Sequence, residues 1–226
     1  MERLFVLNRR DFILTTAAFG IAGTSATAQA QSAQAASPRK PVILVLGDSL
    51  SAEYGLKRGE GWVPLLEKRL AQQKIAATVI NASISGDTSS GGRARFASLL
   101  AQHKPSHVVV ELGANDALRG LPLQNTEENL LQITQSAQAA GAKVLIVGIQ
   151  VPPNYGGEYT RRFEAMFGKV ASTTKAALVP FLLKGVADAP DALSLFQADR
   201  IHPTAAAQPQ LLDNVWPELR KLLAAK

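Results

Sequence analysis

VILVLGDSLS, residues 42–51, is the stretch that decides the fold. Its first five residues form a continuous apolar run, the pattern of a strand that is buried on both faces of a parallel sheet. Gly47 follows the run, and because glycine lacks a Cβ it lets the backbone turn sharply. Ser49 therefore comes just past the carboxyl end of a buried strand, where its side chain is held rigidly.

The rest of the chain alternates apolar runs with amphipathic segments. Further strands are predicted at residues 77–81, 107–112, 143–149 and 177–183. Helices are predicted at residues 62–72, 90–102, 126–140, 159–176 and 204–223. Thr126 is predicted to open the third helix, and Pro209 and Pro217 are predicted to break the last one, because proline removes a backbone N–H. The alternation predicts a single-domain, three-layer α/β/α fold with a parallel five-stranded sheet.

The composition excludes several kinds of protein. The chain has 226 residues, 46% of them hydrophobic, which is enough for one sizeable core. It has no cysteine, which rules out disulfides, a thiolate nucleophile and cysteine metal sites. The net charge is +6, but the basic pairs Arg39-Lys40, Lys57-Arg58 and Arg161-Arg162 are scattered, and only 6% of residues are aromatic. A nucleic-acid partner favours a basic stripe, so a generally cationic surface is the better interpretation.

The N-terminus is predicted to be a signal peptide over residues 1–30. Arg9 and Arg10 precede a short stretch of apolar and small residues, and two Ala-x-Ala sites end at Ala28 and Ala30. The arginine pair is similar to a twin-arginine signal, and an ordinary secretory signal is the alternative. Residues 31–40 are predicted to be a flexible lead-in and residues 41–226 the folded domain, with export to the periplasm or the medium. The apolar stretch is too short to span a bilayer, so no stable membrane span is expected after the signal is removed.

Ser49 can act as a nucleophile only if a base removes its proton. Of the three histidines, His103 lies near the end of a predicted helix and reads as a surface residue, and His107 opens a strand at its amino end. His202 lies in a loop before the last helix, with Asp199 three residues earlier. One turn of backbone brings such a pair side by side, so the carboxylate can fix the imidazole tautomer. The alternative for this pair is a capping interaction at the surface.

Two candidate hydrogen-bond donors follow the neighbouring strands. Gly86 comes after the second strand and can offer a backbone N–H, and Asn115 comes after the third and can offer an amide N–H. The N–H of Ser49 would be a third donor to an oxyanion. Singly, Ser49 could be a helix cap, Gly86 a turn glycine and Asn115 a loop residue. Because the carboxyl ends of parallel strands share one edge, their convergence favours an active site.

Four blocks of the sequence resemble the SGNH, or GDSL, hydrolase family. They are residues 47–51 (GDSLS), 81–88 (NASISGDT), 113–116 (GAND) and 199–203 (DRIHP). Further stretches resemble the bacterial periplasmic branch of multifunctional acyl-CoA thioesterases, lysophospholipases and arylesterases; they include residues 110–120 (VELGANDALRG) and 150–159 (QVPPNYGGEY).

The resemblance implies a role for each matched residue. Ser49 would be the nucleophile, His202 the base and Asp199 its orienting acid, with Gly86 and Asn115 in the oxyanion hole. It also implies a flavodoxin-like sheet of order 2-1-3-4-5 and a periplasmic location. The chain departs from the family pattern at three positions beside the chemistry, which are expected to affect substrate preference. These positions are Arg200, Ala114 and Glu53.

The substrate is predicted to be a small-molecule ester or thioester, with no cofactor and no metal. The loop over residues 150–159 is expected to line the acyl pocket through Pro152 and Tyr155, and a plain surface turn is the alternative. A carbohydrate acetylesterase or peptidase-like amidase is a rival function on the same fold. A non-enzymatic flavodoxin-like binding module is a weaker rival, because no GxxxxGK[ST] or GxGxxG loop occurs. Acyl-chain length and oligomeric state are left open.

Overall fold

The computed structural model describes residues 40–225. The predicted signal peptide and most of the predicted lead-in lie outside the described residues. Within them, five parallel strands form one sheet in the order β2-β1-β3-β4-β5, which confirms the predicted topology. The strands are β1 (Val42–Gly47), β2 (Thr78–Asn81), β3 (His107–Glu111), β4 (Lys143–Val147) and β5 (Ala177–Val179).

Six α-helices are described around the sheet. They are α1 (Trp62–Gln72), α2 (Ser89–His103), α3 (Ala114–Leu118), α4 (Leu123–Ala139), α5 (Gly157–Thr174) and α6 (Gln208–Ala224). Helix α1 packs against α6, and α4 packs between α2 and α5, so the two groups form the outer layers of an α/β/α sandwich. Short 3₁₀ turns at Pro153–Tyr155, Ala192–Leu195 and Ala205–Ala207 connect these elements.

The core lies between the central strands and the two helical layers. Every residue of β3 is buried, and β1 is buried from its second residue onward, as a doubly covered strand requires. Trp62 on α1 fills one side of the sheet, and Phe163 and Phe167 on α5 are equally buried. Phe163 meets Phe167 edge-on, with ring centroids 5.3 Å apart, in the geometry that aromatic pairs prefer. The core therefore fixes β1 rigidly behind Ser49.

The structure corrects the sequence prediction at two helices. Helix α4 begins at Leu123 after Pro122, one turn before Thr126, whose buried hydroxyl instead donates to Asp116 Oδ1 at 3.1 Å. The predicted break at Pro217 is wrong, because α6 continues through it. Buried neighbours on either side of the proline hold the helix against α1 and the sheet, so packing outweighs the lost hydrogen bond. Pro209 stands in the first turn, where proline is tolerated.

Strand direction determines where a ligand can bind. All five strands run the same way, so the segments that follow β1, β2, β3 and β4 meet at one edge of the sheet. The strand order reverses between β1 and β3, since the chain crosses from β2 on one side of β1 to β3 on the other. In open parallel sheets this switch point opens a crevice at the carboxyl edge. Ser49 lies directly at it.

Candidate active site

The turn after β1 presents Ser49 to the crevice. A Cβ on Gly47 would lie 2.8 Å from Ser51 Cβ and 2.9 Å from Glu111 Oε2, so only glycine fits between the turn and β3. The Asp48 carboxylate closes the turn by accepting the Leu50 N–H at 3.0 Å. These contacts hold Ser49 in the wall of a cavity at the carboxyl edge of the sheet.

Ser49, His202 and Asp199 form a hydrogen-bonded chain. His202 Nε2 lies 2.8 Å from Ser49 Oγ, and His202 Nδ1 lies 2.7 Å from Asp199 Oδ2. Asp199 Oδ1 also accepts the backbone N–H groups of His202 at 3.0 Å and Ile201 at 2.9 Å. These two backbone bonds are the main reason that the pKa of Asp199 falls to about 2. An ionised Asp199 keeps the Nδ1 proton, which leaves Nε2 as the acceptor for the serine hydroxyl.

The loop that carries this pair is closed by its own backbone. Gln197 N–H donates to the His202 carbonyl at 2.8 Å, and Arg200 N–H donates to the Gln197 carbonyl at 2.9 Å. Arg200 adopts a left-handed φ of 58°, which a residue with a side chain rarely takes. Tyr54 packs on the His202 ring with centroids 4.3 Å apart. The imidazole is thus fixed by hydrogen bonds at both nitrogens and by an aromatic face.

Gly86 and Asn115 line the same cavity as Ser49, and they follow β2 and β3, the two strands that neighbour β1. Gly86 has a φ of 79°, in the region that favours glycine, and its carbonyl accepts Arg119 Nη2 at 2.7 Å. Asn115 is in the first turn of α3, and its Nδ2 donates to Asp48 Oδ2 at 3.1 Å. An amide nitrogen carries two hydrogens, so the bond to Asp48 orients the group and leaves one N–H for a ligand.

A cavity of about 680 Å³ extends from Ser49, which is within the range of small-molecule sites. Both residues that were predicted to bind substrate, Pro152 and Tyr155, line it. Most of the remaining wall is apolar: Ile149, Val151, Phe181, Leu183 and Phe196. The polar lining residues include Gln150, Asp188 and Arg200 besides the groups around the serine.

The other residues named from the sequence fall outside the site or at its rim. His103 is the last residue of α2, and His107 is at the amino edge of the sheet. Arg200 and Ala114 line the cavity, whereas Glu53 Oε1 accepts the Gly59 and Gly61 N–H groups, both at 2.8 Å. Glu53 thus stabilises its own loop.

Sequence reasoning missed three residues that lie around the proposed catalytic side chains. They are Tyr54, Asp48 and Glu111. Glu111 carried a usable signal, because it is an acidic residue that directly follows the apolar run of β3 and precedes Leu112.

The described part of the chain contains neither a metal-binding cluster nor a helix suited to cross a membrane. Across residues 40–225, no three histidine, aspartate or glutamate side chains are grouped in a way that could hold a metal ion. No helix in the same range combines the length and apolar character needed to cross a bilayer.

A serine hydroxyl bonded to an imidazole, which is bonded in turn to a carboxylate at the switch point of a parallel sheet, defines a serine hydrolase of the α/β type. Known proteins bear this out. Residues 45–208 match the GDSL-like Lipase/Acylhydrolase family. Esterase TesA of Pseudomonas aeruginosa is 54% identical over 181 residues, which cover 80% of this chain and 89% of that protein.

Two more relatives share about two fifths of their aligned residues with this chain. Thioesterase 1/protease 1/lysophospholipase L1 of Escherichia coli is 42% identical over 181 residues, covering 80% of this chain and 84% of its own. The crystal structure of the psychrotrophic esterase EstA from Pseudoalteromonas sp., inhibited by monoethylphosphonate, has a TM-score of 0.76 and 41% identity, and covers 81% of this chain and 99% of that one. The chain therefore belongs to the GDSL-like lipase/acylhydrolase family, also called SGNH, and it is an ester hydrolase, as the sequence predicted.

Proposed function

We propose that this enzyme cleaves acyl esters and acyl thioesters through an acyl-enzyme on Ser49. The observation that carries the proposal is the chain of hydrogen bonds from Ser49 Oγ to His202 Nε2, at 2.8 Å, and from Nδ1 to Asp199, at 2.7 Å. Ser49 Oγ attacks the carbonyl carbon while Nε2 takes the hydroxyl proton. The ionised Asp199 stabilises the imidazolium that forms.

The carbonyl oxygen becomes an oxyanion in this step. The N–H groups of Ser49 and Gly86 and the free N–H of Asn115 are the donors that would stabilise it. When the intermediate collapses, the bond to the leaving oxygen or sulfur breaks, and His202 returns the proton to that atom. Water then attacks the acyl-enzyme with His202 again as base, which releases the acid and restores the Ser49 hydroxyl.

The cavity supports an acyl substrate with an extended chain. Its walls are mainly apolar and its volume is about 680 Å³, so an acyl chain can pack against Pro152 and Tyr155. An acetyl group would leave most of that space unfilled, which weighs against a carbohydrate acetylesterase. The names of the relatives, an esterase and a thioesterase/lysophospholipase, support activity on esters, thioesters and lysophospholipids.

The location of the enzyme is also a proposal. Residues 1–30 would act as a signal peptide, with the twin-arginine-like pair Arg9-Arg10 and cleavage after Ala28 or Ala30, and residues 41–226 would be the mature hydrolase domain. The enzyme would then work in the periplasm or outside the cell. Mass spectrometry of the mature N-terminus after expression of the full chain would test the cleavage site, and an uncleaved Met1 would contradict export by this route.

A hydrolysis panel tests the catalytic proposal. Wild-type protein and Ser49→Ala are compared on p-nitrophenyl esters of increasing chain length, on acyl-CoA and on a lysophospholipid. We expect Ser49→Ala to lose at least about 10⁴-fold in kcat on every substrate. Ser90→Ala, at an exposed serine in the first turn of α2, is the matched control and should retain full activity. Near wild-type rates in pure Ser49→Ala would refute the assignment.

A further inference from the structure

Two carboxyl groups are buried together directly behind Ser49. Asp48 precedes the serine and is 0% exposed, and Glu111 ends β3 and is 1% exposed. The parallel register places Gly47 opposite Glu111, and the Asp48 N–H lies 3.4 Å from Glu111 Oε2. The catalytic chain proposed above uses neither acid. Such a pair in the core needs a physical explanation, because an unpaired buried charge is costly.

No cationic side chain among the described residues neutralises these two acids. Among residues 40–225, no lysine, arginine or histidine forms an ion pair with either carboxylate. Burial raises the pKa of Asp48 to about 6, and burial together with the Asp48 charge raises the pKa of Glu111 well above its ordinary value. Two adjacent carboxylates in such a site do not both ionise, so the pair holds one proton near neutral pH.

The hydrogen bonds decide which acid holds the proton. Asp48 accepts the Leu50 N–H at 3.0 Å and Asn115 Nδ2 at 3.1 Å, and it also faces His202. These groups favour the ionised form of Asp48. Glu111 accepts the Ser51 hydroxyl at 2.7 Å, which itself accepts from Trp62 Nε1 at 3.2 Å, and at the longer distance of 3.4 Å it accepts the Asp48 N–H. The proton therefore belongs on Glu111.

We infer that Glu111 is a neutral acid whose O–H donates to the Asp48 carboxylate, and that this bond fixes Asp48 as the group that orients Asn115 in the oxyanion hole. The inference rests on the function proposed for Asn115. Three donors from different elements then hold one carboxylate: Glu111 of β3, Leu50 of the serine turn and Asn115 of α3. Glu111 and Asp48 are positioning residues, since they act through Asn115 and the turn that carries Ser49.

The same arrangement places one negative charge behind the imidazole. His202, with its partner Asp199, is the titratable group that faces Asp48 from the last loop, Glu111 faces it from β3, and α3 contributes the neutral Asn115. A single charge on Asp48 favours the imidazolium that forms as Ser49 attacks. Protonation of Asp48 would remove that charge and weaken the hydrogen bond that it accepts from Asn115, so kcat should fall on the acid side as Asp48 titrates.

Glu111→Gln and Glu111→Leu test whether Glu111 acts as a neutral hydrogen-bond donor or only fills space in the core. The glutamine amide can donate to Asp48 and accept from Ser51, so Glu111→Gln should keep kcat within about threefold of wild type, with the same acid limb in its pH profile. Glu111→Leu removes the donor, so kcat should fall by roughly 10–100-fold with KM little changed. Its acid limb should move to higher pH, because Asp48 loses a bond that lowers its pKa.

Infrared spectroscopy of the resting enzyme measures the proton directly. Wild-type protein at neutral pH should show a protonated-carboxyl C=O band that disappears in Glu111→Gln and persists in the control Glu128→Gln, at an exposed position of α4. A wild-type spectrum without that band, or a folded Glu111→Gln that loses as much kcat as Glu111→Leu, would overturn the inference. The spectrum needs no substrate and Glu111→Gln folds without a charge to bury, so failure here is distinct from failure of the Ser49 assignment.

Discussion

Two histidines at opposite edges of the sheet show how position assigns a role to the same side chain. His107 begins β3 at the amino edge, and its Nε2 lies 3.2 Å from the Leu222 carbonyl near the end of α6, with Nδ1 2.9 Å from Ser106 Oγ. His202 lies at the carboxyl edge, between a carboxylate and a serine hydroxyl. Both rings therefore have a hydrogen-bond partner at each nitrogen.

The two histidines differ in the chemistry of their hydrogen-bond partners. A backbone carbonyl can only accept, so it fixes a proton on His107 Nε2 and makes this ring a structural link between β3 and α6. Burial and the nearby Lys143 lower the pKa of His107, which keeps it neutral. Asp199 offers His202 a fixed negative charge, so that ring can gain a proton during a reaction. An ionised partner and a position at the carboxyl edge of the sheet therefore suit His202, and not His107, to the proposed role of base.

The largest expected effect comes from removing each ring in turn. His202→Ala should lower kcat/KM by about 10⁴-fold or more while leaving the free energy of unfolding nearly unchanged. His107→Ala should keep kcat/KM within about threefold but cost about 1–3 kcal/mol, because the buried imidazole and its hydrogen bonds to Ser106 and Leu222 are lost. Steady-state kinetics and urea unfolding of both variants test the contrast. Equal losses of activity in the two would refute the separation of roles.

The next largest effect should come from changing Asp199, the partner of the His202 imidazole, while the imidazole itself is kept. Asp199→Asn keeps the side-chain shape but removes the charge, so the imidazolium loses its stabilisation and Nδ1 no longer needs to hold the proton. We expect kcat to fall by about 10³-fold with KM little changed. Asp191→Asn, which alters an exposed aspartate that contacts Ser194, serves as control. A loss confined to KM would mean that Asp199 only shapes the binding site.

A smaller effect should come from the cavity wall, away from either histidine. Tyr155→Ala removes part of the apolar surface that an acyl chain would contact. We expect kcat/KM for long-chain p-nitrophenyl esters to fall by about tenfold, with the acetyl ester within about twofold of wild type. The ratio of the two rates measures the wall independently of the chemistry. A uniform fall at all chain lengths would show instead that Tyr155 supports the catalytic groups.

The sequence predicted the fold and the location of the site because both follow from local patterns. Apolar runs marked all five strands, and strand ends marked where Ser49, Gly86 and Asn115 would meet. The three-residue spacing of Asp199 and His202 was enough to predict that they would contact each other.

What was missed depends on contacts between distant segments. Helix α3 has only five residues, too few to show a periodic pattern. The contact of Asp48 with Glu111 depends on the register of β1 against β3, which no local signal specifies. Pro217 remains inside α6 because of packing against other elements, which a rule about single residues does not include.

The smallest expected effect returns to His107 and concerns pH. Its pKa is lowered in the folded protein, whereas an unfolded histidine titrates near 6.5, so the unfolded chain binds more protons as the pH falls below about 6.5. His107 therefore contributes a loss of stability on the acid side. The raised pKa values of Asp48 and Glu111 act in the opposite sense, since their folded forms bind more protons than the unfolded chain.

These opposing contributions can be separated by comparing the free energy of unfolding of wild type with that of a variant that lacks the His107 imidazole. His107→Gln keeps a donor for the Leu222 carbonyl but cannot titrate, so its free energy of unfolding should fall less steeply than that of wild type between neutral and mildly acidic pH. Urea unfolding at a series of pH values measures both curves, and their difference reports His107 alone because the two carboxyl groups are unchanged. Parallel curves would mean that His107 titrates alike in the folded and unfolded chain, and would contradict the neutral, structural role assigned to this histidine.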